Sequence, residues 1–270
     1  MKTKDTSLLW IGAMILLSYC SLAFADNEII ISQAGDNFDL LITQQGYNNT
    51  IQGVNGTGQV LGADNTININ QGYKGNNLIE LATNGTGNEI TIGQEKSVGY
   101  TPSGIIWFDD TSSYGHHYAK ADISGNYNDV EILQRNNNSS VAGHDSYAIV
   151  TNGDYNSIRT LQTGTGGSSG HTSYVHVKNG RDGNDIDVFQ NSDTADHSIT
   201  LSVYSNYNTI DVSQTGTTSN RAYVLFSADS VGPTNFTLNQ SGGSTYGSSS
   251  YVTQYCANPG GCTVTVNQGP

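Results

Sequence analysis

Asn184-Asp-Ile186-Asp-Val188-Phe-Gln190 is followed 24 residues later by Asn208-Thr-Ile210-Asp-Val212-Ser-Gln214, and this pair decides the fold. Polar and apolar residues alternate within each phrase, the period of a strand with one buried face. The face with the two apolar residues also carries the leading Asn and the closing Gln. The phrase recurs as Asn65-Thr-Ile67-Asn-Ile69-Asn-Gln71, Asn88-Glu-Ile90-Thr-Ile92-Gly-Gln94, Asn128-Asp-Val130-Glu-Ile132-Leu-Gln134 and Asn156-Ser-Ile158-Arg-Thr160-Leu-Gln162. Two late copies, Thr234 to Gln240 and Cys262 to Gln268, keep the strand and lose the Asn. Asn27 to Gln33 fits as an early copy, and Phe38 to Gln44 fits without its Asn.

From Asn65 to Cys262 the first positions are separated by 23, 40, 28, 28, 24, 26 and 28 residues. The step of 40 marks an insertion over residues 95–114, which holds Pro102, Trp107 and Phe108. A looser strand precedes most phrases, as in Ser146-Tyr-Ala-Ile-Val-Thr151, Ser173-Tyr-Val-His-Val177 and Ser198-Ile-Thr-Leu-Ser-Val203. Its register stays open: the inward set is Ser146/Ala148/Val150 or Tyr147/Ile149/Thr151, because a one-residue slip swaps the faces. Asn-Gly turns such as Asn84-Gly85 and Asn152-Gly153 join the two strands, residues suited to positive φ.

Two strands and two turns per 23–28 residues describe one coil of a β-solenoid. A single coil cannot bury its face, whereas stacked coils share a thin continuous core. Stacking places equivalent residues ~4.8 Å apart, so a repeated amide bonds to its neighbours above and below. A lone buried Asn would cost a few kcal/mol. The expected ladder residues are Asn65, Asn88, Asn128, Asn156, Asn184 and Asn208, with Gln71, Gln94, Gln134, Gln162, Gln190, Gln214, Gln240 and Gln268. The expected fold is thus an all-β solenoid of stacked strand-turn-strand repeats over residues 26–270. A β-sandwich accounts for the pattern less well, since it does not require the same amides at one offset in every second strand.

Composition narrows the function. Charged residues are only 12%, Gly numbers 32, and Lys+Arg of 10 against Asp+Glu of 23 gives a net charge of −13. No basic block exists, which argues against nucleic acid as a partner. Residues 1–25 read as a secretory signal peptide: Lys2 and Lys4, an apolar run from Leu8 to Leu17, and Ala23-Phe-Ala25 as the cleavage site. Leu17-Ser-Tyr-Cys20 is a poor lipoprotein box because Tyr19 is too large. The expectation is export without a membrane span. Cys256 and Cys262 flank a turn-rich Ala-Asn-Pro-Gly-Gly stretch, and a short-loop disulfide suits an oxidising compartment.

These phrases resemble the curlin family, the subunits of bacterial curli fibres, whose repeat reads Gln-x-Gly-x-x-Asn-x-Ala-x-x-x-Gln. Gln44-Gln-Gly46-Tyr-Asn-Asn49-Thr-Ile51 fits its first part. Thr151-Asn-Gly153-Asp-Tyr-Asn156-Ser-Ile158-Arg-Thr-Leu-Gln162 fits throughout, with Thr for the first Gln and Ile for Ala. The chain departs in its length, its uneven coils and its terminal Cys pair. The resemblance implies secretion through the periplasm and an outer-membrane pore to the extracellular cell surface. It also implies homopolymerisation into amyloid fibres for biofilm matrix and adhesion to host or matrix surfaces, with a nucleating subunit and the outer-membrane secretion machinery as partners. A monomeric secreted adhesin or carbohydrate-binding solenoid is the alternative, served by some of the 16 Tyr.

His117, His144, His171 and His197 are spaced 27, 27 and 26 apart, each ahead of a first strand. In a solenoid they form a column, read either as a pH- or metal-sensitive stack or as a tolerated turn position. Gly180-Arg-Asp-Gly183-Asn-Asp185-Ile-Asp187 faintly resembles a calcium nonapeptide, but that motif works in tandem, and Asp185 and Asp187 fit the solvent face of a strand. Asp109-Asp110 beside Trp107 is a loop patch. Scattered carboxylates and few basic residues give no catalytic constellation, so neither an enzyme nor a cofactor is expected.

Overall fold

The computed structural model describes residues 28–30, 33–34, 39–44, 49–53, 59–72, 76–94, 97–101, 104–108, 116–135, 143–164, 170–178, 181–192, 194–204, 206–226, 234–242, 249–254 and 262–268. Alternation sets the two faces of each strand, and residues with positive φ set the corners. In chain order the strands begin with β1 (Glu28–Ile29), β2 (Gln33–Ala34), β3 (Asp39–Gln44), β4 (Thr50–Gln52), β5 (Gln59–Ala63) and β6 (Thr66–Gln71). Next come β7 (Leu78–Thr86), β8 (Glu89–Gln94), β9 (Ser97–Thr101), β10 (Gly104–Phe108), β11 (Tyr118–Ser124) and β12 (Asp129–Gln134). The pattern continues with β13 (Asp145–Thr151), β14 (Ser157–Thr163), β15 (Thr172–Val177), β16 (Asp185–Asn191) and β17 (Ser198–Val203). It ends with β18 (Thr209–Gly216), β19 (Arg221–Phe226), β20 (Thr234–Gly242), β21 (Ser249–Gln254) and β22 (Cys262–Gln268).

Two parallel sheets result. The first runs β1-β4-β7-β11-β13-β15-β17-β19-β21, and the second runs β3-β6-β8-β12-β14-β16-β18-β20-β22. Apart from β2 and β5, which pair with each other and, through β5, with β7 in the first sheet, consecutive coils place one strand in each sheet, and the ladder bonds of both sheets run along the stack, as a β-solenoid requires. The step of 40 does not disturb the register: Asp129 pairs with Glu89 and Ser157 with Asp129. The extra residues form β9 and β10, an antiparallel hairpin in a sheet of its own.

The core lies between the sheets. The second sheet contributes Ile67, Ile69, Ile90, Ile92, Val130, Ile132, Ile158, Ile186, Val188, Ile210 and Val212. The first contributes Ile79, Leu81, Ala119, Ala121, Ile123, Ala148, Val150, Val175, Val177, Ile199, Leu201 and Val203. The open register is resolved: Ser146, Ala148 and Val150 are buried, so Tyr147, Ile149 and Thr151 face outward. Ser146 Oγ and Ser173 Oγ meet at 2.9 Å inside the stack. One early copy moves. Glu28 pairs with Thr50 and Ile29 with Ile51, which puts the Asn27 phrase in the first sheet rather than with the Asn-to-Gln strands. The cause is that both corners open on the same Asn-x-apolar beginning. The leader Met1 to Ala25, the Cys256–Cys262 bridge, the Gln268 side chain, Gly180 and Asp109-Asp110 lie outside the described residues and side chains.

The corner before the second sheet is tight. Gly125 has φ 142°, and a Cβ added there would lie 1.9 Å from the Gly153 carbonyl oxygen of the next coil. Backbone cannot yield as a side chain would. Gly125→Ala is therefore expected to lower stability by about 3 kcal/mol in urea unfolding. The neighbouring Ser124→Ala should change it by less than ~0.5 kcal/mol. Equal effects would contradict the close approach.

Candidate functional site: the corner ladders

Each coil turns twice, and a column of polar side chains is buried at each turn. At the entry to the second sheet the residue before the ladder Asn is always left-handed: Asp64, Gly87, Tyr127, Tyr155, Gly183 and Tyr207 have φ between 54° and 68°. This reversal aims the next side chain inward. Asn65, Asn88, Asn128, Asn156, Asn184 and Asn208 are all at most 1% exposed. Each Asn Nδ2 donates to Oδ1 of the preceding coil's Asn, at 3.0, 3.1, 3.0, 2.8 and 2.6 Å from Asn88 to Asn208. The same Oδ1 also accepts the backbone N–H of the following Asn, for example 2.8 Å from Asn88 to Asn65. The second Nδ2 proton goes forward to a turn carbonyl, Gly125 O from Asn88 and Gly153 O from Asn128. A middle Asn thus has both donors and both acceptor lone pairs engaged.

At the far end of the second sheet the Gln column runs the other way. Gln44 Nε2 donates to Gln71 Oε1 at 3.1 Å, and the chain continues through Gln94, Gln134, Gln162, Gln190 and Gln214 at 2.8–3.0 Å. The amide also reaches across the turn to the first sheet: Gln134 to Tyr118 O at 2.9 Å, Gln162 to Asp145 O at 2.9 Å, Gln190 to Thr172 O at 3.1 Å. Gln240 stays in register with Gln214 and donates to Arg221 O at 3.2 Å, but its buried Oε1 has no partner. The amide chain therefore ends at Gln214. Gln268 is in backbone register with Gln240.

The His column is brought together, and it belongs to a longer series. Asn77 Nδ2 donates to Asn49 Oδ1 at 3.1 Å, and the His117 backbone N–H donates to Asn77 Oδ1 at 3.0 Å. From there His144 N–H donates to His117 Nδ1 at 2.9 Å, His171 N–H to His144 Nδ1 at 3.0 Å, and His197 N–H to His171 Nδ1 at 3.1 Å. Asn220 N–H closes the series on His197 Nδ1 at 3.2 Å. Imidazole Nδ1 stands where the Asn Oδ1 stands in the coils before. The rings stack at 4.7 Å for His144–His171 and 5.0 Å for His171–His197. With His144 Nδ1 accepting, its proton sits on Nε2, which faces Arg135 O at 2.9 Å and Gly164 O at 3.1 Å. The metal version of the column is not what the geometry builds. The lone pairs a metal needs accept backbone protons, and no group of three metal-binding side chains occurs among the described residues.

A further column escaped the sequence reading. Asn126 N–H donates to Asp154 Oδ1 at 2.6 Å, Asp154 N–H to Asp182 Oδ1 at 2.8 Å, and Asp182 N–H to Asn206 Oδ1 at 3.1 Å. The signal was present: Asn or Asp stands two residues before each ladder Asn from Asn128 to Asn208. Asn49, Asn77 and Asn220 were also missed, although their spacing to the His residues follows the coil lengths.

The outer faces carry chemistry of lower density. Arg159 bridges Glu131 at 2.8 Å and Asp187 at 3.3 Å along the second sheet. Asp185 is exposed and Asp187 half-buried, both outward as expected. A cavity of about 330 Å³ there is lined by Arg159, Leu161, Asp187, Val188 and Phe189, its cation and carboxylate already paired with each other. On the first sheet Tyr118, Tyr147 and Tyr174 form an outward row with centroids 5.0 and 5.7 Å apart. The class defined is a two-sheet parallel β-solenoid held by buried amide and imidazole ladders. No family model, curated protein or solved structure matches the chain.

The His column makes stability depend on pH. Burial holds His144 down to about 4 and His171 to about 2, the latter with the neighbouring His144 and His197 rings adding to the depression, against an ordinary value of 6.5. Asp196 acts weakly in the opposite sense on His144. The folded state stays neutral where the unfolded chain takes up protons, so this stability is present above pH 6.5 and is lost as pH falls below it. Between pH 6.5 and pH 5 each of these two rings should account for a loss of about 2 kcal/mol. Asn fills the same position at Asn77 and Asn220, so His144→Asn with His171→Asn should flatten the profile. Urea titrations at both pH values check this, and an unchanged slope would sink the assignment.

Proposed function

We propose that the chain is a structural subunit of extracellular curli-like amyloid fibres, polymerising head-to-tail by strand stacking. The carrying observation is that, among the described residues, the outermost strands have an open edge at both ends of the stack. Among the described residues, β21 and β22 at one end, and β1 and β3 at the other, are paired along one edge only. Such edges present a row of unpaired N–H and C=O groups. A second copy added there makes a heterologous contact that does not close, which yields a fibre. The sequence resemblance to curlins supports the same reading. A role in biofilm matrix and adhesion, secretion through the periplasm and an outer-membrane pore, and a nucleating partner subunit follow from that resemblance and form part of the proposal.

The first test is a thioflavin-T time course on residues 26–270 with and without preformed seeds. A lag abolished by seeds, ending in fibres with cross-β spacing, is the expected result; a chain that stays folded, monomeric and dye-negative refutes the reading. The ladder has its own test. Asn156→Ala with Gln162→Ala should slow elongation tenfold or more, because the removed amides leave buried donors and acceptors open on both adjacent coils. Ser157→Ala with Arg159→Ala, on the outward face, should slow it less than threefold. Equal effects would show that the inward amides do not govern assembly.

A further inference from the structure

The residue before each ladder Asn stands at the surface of its corner. Backbone bonds from Tyr127 N to Thr86 O, Tyr155 N to Asn126 O, Gly183 N to Asp154 O and Tyr207 N to Asp182 O, all 2.9–3.0 Å, hold these residues in one row along the stack. The three tyrosines are left-handed, at φ 54°, 58° and 56°, and their rings are 54%, 64% and 63% exposed. Within the row Gly87, Tyr127, Tyr155, Gly183, Tyr207, two tyrosines are direct neighbours. Tyr127 and Tyr155 stack at 5.2 Å with planes 11° apart. Tyr207 instead rests over Gly183, its ring filling the space a Cβ would need.

The backbone beneath this pair is clamped. Asn156, next to Tyr155, bonds to Asn128 Oδ1, next to Tyr127, through its Nδ2 at 3.0 Å and its N–H at 2.9 Å. The strands that follow continue in register, Asp129 with Ser157. The two phenols are thus fixed side by side at their roots while their rims face solvent, which gives each a high effective concentration toward the other. The other close tyrosines are placed differently. Tyr118 and Tyr147 lie 5.0 Å apart but tilted by 56°, half-buried on the first sheet. The Tyr118 hydroxyl also donates to Glu80 Oε2 at 2.7 Å, which holds that ring in place.

We infer that Tyr127 and Tyr155 form an oxidative cross-linking site, which a one-electron oxidant of the peroxidase and hydrogen peroxide class converts to dityrosine within one chain. Each phenol gives up one electron and one proton, leaving two phenoxyl radicals. Turning each exposed ring about its Cβ–Cγ bond brings an ortho carbon of one toward an ortho carbon of the other. A carbon–carbon bond forms between them. The two ortho hydrogens then leave as protons while two protons return to the oxygens, and both rings regain aromaticity. The two hydrogen atoms removed overall reduce one hydrogen peroxide to two waters. The bond ties the corner before β12 to the corner before β14. Both partners belong to a single folded chain, so the inference stands apart from fibre formation.

The test treats the full chain, dilute and monomeric, with a peroxidase and stoichiometric hydrogen peroxide. Dityrosine fluorescence should rise, and the intact mass should fall by two hydrogens. Proteolysis and mass spectrometry should then recover a linked peptide pair that joins Tyr127 to Tyr155. Tyr127→Phe and Tyr155→Phe keep the ring and remove the phenol, and each should cut the fluorescence tenfold or more with an unchanged melting temperature. Tyr207→Phe, in the same row without a neighbouring phenol, and Tyr147→Phe, on the first sheet, should each change it less than twofold. Absence of dityrosine, cross-links confined to pairs of chains, a Tyr118–Tyr147 product in excess, or a yield unaffected by Tyr127→Phe would each overturn the assignment.

Discussion

A polar side chain buried between two sheets is tolerated only when its own copy lies one coil above and one below. That constraint shapes the rest of the molecule. Asn156 is held by Asn128 on one side and holds Asn184 on the other, with the backbone N–H of each joining in. A slip of one residue would turn the amides to the opposite face, and a slip of two would place an Ile against an amide; either strands several donors at once. The ladders therefore fix register where apolar packing alone would not. Ile, Val and Leu are interchangeable partners in a thin core, whereas an amide accepts few substitutes. The unequal coil lengths fit this view. Extra residues leave at the corners, as the hairpin of β9 and β10 does, and the columns resume in register beyond them.

The His column shows what the constraint asks for. It asks for an acceptor at one point in space, not for an amide. Asn77 supplies Oδ1, four imidazoles supply Nδ1, and the Asn220 backbone N–H donates the last of these bonds, to His197 Nδ1. Burial keeps the rings neutral, and neutrality is what makes Nδ1 an acceptor. The corner becomes sensitive to acid without any change of backbone. The Asp154 and Asp182 column is a third solution to the same problem, placed at the surface, where a carboxylate needs no burial.

The fold was legible in the sequence because the ladder imposes identity: the Asn and Gln of each phrase recur at one offset, and from Asn65 to Gln214 they lie buried where the phrase put them. The first sheet was harder to read. Tyr147/Ile149/Thr151 is as hydrophobic as Ser146/Ala148/Val150, and the choice rests on volume, since the facing sheet already contributes Ile132 and Ile158 and leaves room for small residues. The continuity of Asn49 and Asn77 with the His column was hidden because the residues differ in name while sharing an acceptor position. Gln240 illustrates the converse, a residue in register whose side chain does not extend the amide chain. Function was less legible than fold, because a solenoid hosts fibres, adhesins and enzymes alike.

The opposed direction of the two amide columns has a consequence for length. Each Asn side chain donates toward the earlier coil, and each Gln donates toward the later one. Their dipoles point in opposite senses along the stacking axis and largely offset each other. An α-helix accumulates a macrodipole with partial charges at its ends. A solenoid with paired, opposed columns gathers far less from its side chains, however many coils it holds. A taller stack of such coils would therefore build up no growing field from these columns at its tips.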